Sequence, residues 1–304
     1  MSLTDVITKN RPNLSKSSIR TYNSILKNLG IALDIKDIDR KSILSHKSEI
    51  MNYLKKFPSK KRKTILASIV VLLDDGETDK EMLDVFRTVM MKDKEQADAE
   101  DDKQELTDKQ RDNWLGWNEI EKVYNELKDE VKPLWKLENL KPSAMRRLQD
   151  FVMLSCLVLI PPRRSKDWCD FKIRNIDENT DNYISKDKLI FNSYKTKKYY
   201  GRQQIDIKTN PLKKILKDWI QINKNDYLLF DTKGNALTPT KLTSRLYSLF
   251  ADKDKKISTS MLRHIFISDK VLPNIPELEK MKKTAEEMGH NVEEQLKYKK
   301  FTNK

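Results

Sequence analysis

Arginine is the side chain best shaped to hold a phosphate, because its planar fork offers parallel donors and keeps its charge at any physiological pH. The C-terminal half of this chain sets arginines, histidines, a lysine and a tyrosine at points where a helix ends or the backbone turns. Arg163 and Arg164 follow Pro161-Pro162, directly after the apolar run 151–160. Arg263 and His264 stand in Ser258-Thr-Ser-Met-Leu-Arg-His-Ile-Phe. Gly289-His290 comes after a helical pattern, and Tyr298 follows eight residues later. Lys195 sits in Ser193-Tyr-Lys-Thr-Lys-Lys between two β-prone segments, with Lys197 and Lys198 beside it. Residues of these types suit the binding of a phosphate group. Other chemistries lack their residues. The six glycines (Gly30, Gly76, Gly116, Gly201, Gly234 and Gly289) form neither a P-loop nor a dinucleotide fingerprint. His46, His264 and His290 have no metal-binding spacing with another His or Cys, and no cofactor is implied. Cys156 and Cys169 make neither a disulfide framework nor a zinc cluster, and Cys156 reads as core.

The elements that must position these residues are mostly helices. Residues 18–29 carry Ile19, Tyr22, Ile25, Leu26 and Leu29 at spacings of three and four, with Ser15 or Ser17 to cap the helix and Gly30 to end it. Further helices are predicted over 41–54, 64–73 and 79–91. Trp117 opens another, with Ile120, Val123, Tyr124 and Leu127 on one face. Ser143 is placed to cap a longer helix that stops at Pro161-Pro162, since proline lacks an amide hydrogen and clashes with the preceding turn. Segments 168–173, 188–194 and 203–207 then read as three short antiparallel strands. Helices resume over 211–222, 238–250, 258–269 and 276–288. The fold class is thus mainly α with a small antiparallel β-sheet (α+β).

With 60 Lys and Arg against 46 Asp and Glu, the chain of 304 residues carries +14, and the excess points to a polyanion. It is unevenly placed: residues 1–73 hold 15 basic against 5 acidic side chains, and residues 93–112 hold 4 against 9. The boundaries predicted are a basic helical domain over 1–92, an acidic linker over 93–112 and a second domain over 113–304. Lys60-Lys61-Arg62-Lys63 opens an apolar helix, where positive charge opposes the macrodipole; the cluster reads as a phosphate contact or as a solvated face. The run 151–160 is too short to cross a bilayer, and the first residues show no secretory signal, so an intracellular location is expected: host cytoplasm, nucleus or nucleoid.

Taken in order, these motifs resemble those of the tyrosine recombinases, or phage-type integrases, particularly divergent ones of large DNA viruses and mobile elements. The string Leu159-Ile-Pro-Pro-Arg-Arg-Ser-Lys-Asp167 is similar to the first box, with Arg164 as catalytic arginine and Asp167 as its supporting acid. Lys195 matches the lysine of the family's β-hairpin, with Lys197 and Lys198 as alternatives. Ser260-Met-Leu-Arg263-His264 resembles the second box, except that Ser260 replaces the usual His or Lys. Met288-Gly289-His290 resembles the third, and Tyr298, one residue early, matches the nucleophile. The stretch from Asp226 to Thr240 and the N-terminal helices, likened to the family's DNA core-binding domain, extend the match over most of the chain.

The resemblance implies site-specific DNA cleavage and rejoining through a 3′-phosphotyrosine, without metal or ATP. Arg164 and Arg263 grip the non-bridging oxygens, Lys195 protonates the leaving 5′ oxygen, His290 bonds a phosphate oxygen and Tyr298 attacks phosphorus. His264 reads as a structural histidine packed under the arginine. Arg163, Lys60, Lys61, Arg62, Lys63, Lys197 and Lys198 read as DNA contacts. Double-stranded DNA is the implied partner, held between two domains hinged by the acidic segment. A homo-oligomer, a tetramer on two sites, is implied too. Six residues after Tyr298 leave little chain for an exchanged C-terminal helix, so either another surface joins the protomers or assembly is weak. A type IB DNA topoisomerase and a catalytically inactive DNA-binding protein are the alternative readings.

Overall fold

The computed structural model describes residues 2–272, 275–288 and 292. The chain divides into two compact units, Met1–Glu105 and Leu106–Lys304.

The first unit is all helical: α1 (Leu3–Asn10), α2 (Lys16–Ala32), α3 (Arg40–Ser45), α4 (Lys47–Leu54), α5 (Ser59–Leu73) and α6 (Lys80–Asp102). Ser15 caps α2 by accepting from the Ser18 amide at 3.1 Å. Gly30 does not end that helix, which runs to Ala32. A Cβ at Gly30 would stand 2.7 Å from Ile38 Cγ1 and 2.9 Å from the Ile35 carbonyl, so its lack of a side chain admits the returning strand of chain. The single helix expected over 41–54 is broken at His46 into α3 and α4. The core lies along α5, whose Ile65, Leu66, Ile69, Val70, Leu72 and Leu73 are buried. Each such side chain contributes on the order of 1.5–3 kcal/mol of burial.

Helix α5 starts at Ser59, so the basic cluster forms its first turns, with no acid there and no side-chain cap. The opposing charge comes from α6. Lys60 Nζ lies 2.6 Å from Asp101 Oδ1 and 3.9 Å from Glu100, and Arg62 Nε donates to Asp93 Oδ2 at 2.7 Å. The acidic stretch is therefore helical from 93 to 102 and continues the helix that covers α5; Asp93 is buried within it. Only a few residues separate α6 from α7 (Asp108–Asp112), which belongs to the second unit.

The second unit packs α8 (Trp117–Val131), α12 (Leu212–Ile222) and α13 (Pro239–Leu249) around α9 (Pro142–Val158), which is buried without a break from Leu148 to Leu157. Pro142 occupies the first turn of α9, where its missing amide hydrogen costs nothing; Ser143 lies inside the helix and is not its cap. Buried Asp150 on α9 faces Arg245 of α13 at 2.5 Å, with Gln149 a further acceptor of the same guanidinium. Helix α10 (Ser165–Cys169) occupies part of the first expected strand, leaving only β1 (Phe171–Lys172). The sheet has four strands, not three: β2 (Asn182–Ser185), β3 (Lys188–Phe191) and β4 (Gln203–Asp206) follow, in the order β1-β2-β3-β4. It is mixed. β1 pairs parallel to β2 through Phe171 and Asn182, while β2–β3 and β3–β4 are antiparallel. β2 and β3 are joined by Lys186-Asp187, with Lys186 at φ +51°, and β2 is too short and polar to stand out in sequence. The β3–β4 connection carries a helical turn, α11 (Lys197–Tyr200). Helix α14 (Thr259–Phe266) continues into a π-turn, and α15 (Ile275–Glu287) follows. The mainly helical α+β class holds. No helix among the described residues is long and apolar enough to cross a membrane.

Candidate active site

Arg164 is the N-cap of α10, with an extended backbone (φ −68°, ψ 148°) left by the turn after Pro161-Pro162. Its side chain is half-buried and makes no hydrogen bond or ion pair among the described residues. Arg263 lies on α14, which Ser258 caps by accepting the Met261 amide at 3.2 Å. Met261, Leu262 and Ile265 anchor that helix in the core, and Asp269 beyond it accepts the Trp117 amide at 2.8 Å. Arg263 too is half-buried with no partner among the described residues. A direct contact ties the two helices: Ser165 Oγ lies 3.0 Å from Thr259 Oγ1. The residue after Arg164 thus touches the residue before Ser260, which is itself exposed.

Asp167 sits in the first turn of α10, where the helix dipole favours an acid. It pairs with Arg163, not Arg164: Arg163 Nε donates to Asp167 Oδ2 at 3.0 Å. Burial pushes the Asp167 carboxyl above the usual carboxylate range, against the pull of Arg163, Arg164 and Arg263, all near enough to act on its charge. Its other oxygen, Oδ1, is buried with no hydrogen-bond partner among the described residues. Arg163 also donates to Gln203 Oε1 at 2.9 Å and lies over the Phe191 ring at 3.9 Å. Burial lowers its pKa, and its donors face inward. The DNA contact expected of Arg163 is therefore corrected: the residue is an internal brace between α10 and the sheet.

Lys195 is exposed on the turn after β3. Its placement depends on Asn182, which no motif marked. The Asn182 amide group donates to the backbone carbonyls of Asp167 at 3.0 Å and Ser193 at 2.8 Å. Its oxygen accepts from the amides of Asn192 at 2.9 Å and Ser193 at 2.7 Å. One fully satisfied, buried side chain so fastens α10 to the start of the lysine turn. The far end closes through Tyr194, whose hydroxyl donates to the Gly201 carbonyl at 2.6 Å. Lys197 and Lys198 are exposed on α11. Asn182, Tyr194 and Gln203 are residues that sequence reasoning missed. A buried asparagine leaves no periodic signal, and its partners are backbone groups far along the chain.

His264 is exposed on α14 and not packed under Arg263, because buried Met261, Leu262 and Ile265 turn the opposite face of the helix inward. Of the N-terminal cluster, Arg62 faces Asp93, Lys60 faces Asp101, and Lys61 Nζ stands 4.1 Å above the Phe57 ring. Lys63 is half-buried with no such partner among the described residues. His290 and Tyr298 lie outside the described residues. Cys156 and Cys169 are buried; their thiols are pushed up, that of Cys169 to about 12, so neither is a thiolate at neutral pH. Among the described residues no cluster of His, Cys, Asp and Glu could hold a metal ion.

Among the solved structures that the chain is similar to are the following three. A XerA recombinase matches with 11% identity over 89% of this chain and 85% of its own, at a TM-score of 0.37. The lambda integrase bound to DNA matches with 15% identity over 82% and 87%, also at 0.37. The Tn1549 transposon integrase, in complex with circular intermediate DNA, matches with 12% identity over 100% and 96%, at 0.44. No protein-family model matches the chain, and no curated protein matches it in sequence.

Proposed function

We propose that this chain is a tyrosine-type DNA recombinase or integrase that cleaves and rejoins DNA at defined sites of a viral or mobile genome. The observation that carries the reading is the pair Arg164 and Arg263. They come from distant boxes on helices joined by the Ser165–Thr259 contact, and neither makes a hydrogen bond or ion pair among the described residues. A half-buried arginine whose donors are unpaired calls for an anion, and a phosphodiester has two non-bridging oxygens for two forks.

The chemistry follows from those groups. The arginines neutralise the phosphodiester, whose charge otherwise repels a nucleophile, and hold the charge that builds at phosphorus. Tyr298 gives its proton to water and attacks phosphorus as the phenolate; the bond from phosphorus to the 5′ oxygen breaks, and a 3′-phosphotyrosine bond takes its place. Lys195 gives a proton to the departing 5′ oxygen. His290 donates to a phosphate oxygen. The phosphotyrosine retains the energy of the broken bond, so the reverse attack by a 5′ hydroxyl reseals DNA without ATP. Duplex DNA is the substrate, intracellular DNA the setting, and a tetramer on two sites the assembly.

A nicked suicide duplex tests the proposal. Wild type is expected to become covalently linked to the DNA, and Tyr298→Phe to lose the adduct while keeping DNA affinity. DNA binding with no adduct at any salt or temperature leaves an inactive binding protein. Relaxation of supercoiled plasmid without any special site points to a type IB topoisomerase instead.

A further inference from the structure

The β3–β4 connection carries two side chains that strand transfer does not use. Tyr199 and Tyr200 end α11 and are 80% and 69% exposed, the only exposed aromatics among the described residues. The same unit buries Trp168, Trp219, Phe171 and Phe191 almost completely, so two adjacent rings left in water mark a surface that meets a partner. Their hydroxyls make no hydrogen bond among the described residues.

The rings stand on a fixed platform. Tyr194, buried under Arg163, bonds the Gly201 carbonyl, and the Gly201 amide donates to the Lys197 carbonyl at 2.8 Å. Gly201 takes φ +63°, a conformation a larger residue adopts only under strain, and this sends the chain back into β4. Arg202 is then held by the Tyr183 hydroxyl at 2.9 Å.

The charge around the rings identifies the partner. From Ser193 to Arg202 the chain has four cations, Lys195, Lys197, Lys198 and Arg202, and no acid. The three lysines make no ion pair among the described residues. Positive charge continues past Arg202 into a groove of about 410 Å³ on the outer face of the sheet, lined by Lys186, Lys188 and Lys208. Its acids are engaged: Asp187 pairs with Lys213 at 2.7 Å, and Asp206 accepts the Lys208 amide at 2.7 Å. Flat π faces on a cationic ridge fit a polyanion that also presents flat faces.

We propose that Tyr199 and Tyr200 stack on unpaired bases of the DNA while the flanking lysines hold its phosphates. A paired duplex hides base faces inside the stack, so the rings engage a strand opened locally. The inference rests on the DNA strand-transfer reading and adds to it that the bound DNA is unstacked at this loop.

The test uses the full chain and two probes, a duplex with a short unpaired bubble and the same duplex fully paired. Wild type is expected to prefer the bubble. Replacing both tyrosines by Ala lowers affinity for the bubble about 10- to 100-fold, with far less effect on the paired duplex. Replacing both by Phe keeps the preference, because stacking uses the ring and not the hydroxyl. Replacing both by Leu, which retains apolar bulk in case the Ala pair folds poorly, behaves as Ala does. The salt dependence of binding stays unchanged in the Ala pair and flattens by about two counterions in Lys197→Ala/Lys198→Ala. A bubble preference that survives in the Ala pair overturns the inference. So does a Phe pair as weak as the Ala pair, or a change of oligomeric state with DNA affinity intact, which assigns the rings to a protein contact. If wild type forms the covalent adduct but the Ala pair keeps its preference, only this inference fails. If wild type binds neither probe, the strand-transfer reading fails with it.

Discussion

Two basic clusters, one in each unit, meet opposite fates. Lys60, Lys61 and Arg62 look in sequence like a patch open to phosphate, yet each has an internal partner: Asp101, the Phe57 ring and Asp93. Arg164 and Arg263 stand in no run of positive charge as long as that one, yet neither makes a hydrogen bond or ion pair among the described residues. Availability of a charge depends on what the fold sets beside it, not on how many like charges stand in a row. Arg163 shows the contrast within one pair of neighbours: it is locked between Asp167 and Gln203, while Arg164 is not.

The comparison can be broken most directly at the arginines. Arg164→Ala or Arg263→Ala should lower DNA cleavage about 100- to 1,000-fold while the urea midpoint stays at the wild-type value. A large fall in that midpoint would show these side chains to be structural, as in the first unit. Arg62→Ala should do the reverse. It strands the buried Asp93 carboxylate and should cost about 3 kcal/mol of stability in urea unfolding, with the cleavage chemistry unaffected.

Arg163→Met falls between the two. Loss of a charge-assisted bond should cost about 2 kcal/mol, and cleavage should fall with it as the lysine turn loosens from α10. Cleavage unchanged at a lowered midpoint would mean that the brace serves stability alone.

Asp167 adds a pH signature. Its carboxyl is raised by burial, so the folded state holds the proton more readily than the unfolded chain. That contribution is full below about pH 4, is lost as pH rises through the raised value, and is flat above it. Asp167→Asn lacks the titration, so its stability relative to wild type should improve from pH 4 toward neutrality, read by urea midpoints across that range. The smallest effect is expected at Lys60, whose exposed pair with Asp101 should leave the midpoint of Lys60→Ala unchanged.

Much of the fold was legible because most helices bury one continuous stripe. Ile120, Val123, Tyr124 and Leu127 all point inward from α8, and the stop at Pro161-Pro162 falls just beyond α9. What escaped had no period to betray it. β2 is four residues with polar ends, and His46 divides a helix whose apolar pattern runs across it. Trp168 and Cys169 look β-prone, yet the helical turn that opens after Arg164 winds them into α10. At the site, Arg164, Lys195 and Arg263 could be nominated from the chain by residue type and position. The Asn182 clamp could not, because its partners are backbone atoms that any sequence possesses.

Residue type and spacing along the chain suffice to nominate a phosphate-handling set and a mainly helical scaffold, since periodicity and proline act over a few residues. They could not tell which positive charges stay unpaired. A salt bridge such as Arg62–Asp93, a brace such as Arg163–Gln203 and a contact such as Ser165–Thr259 join residues far apart in the chain. Electrostatics and hydrogen bonding depend on distances in space, and those distances exist only once the chain has folded.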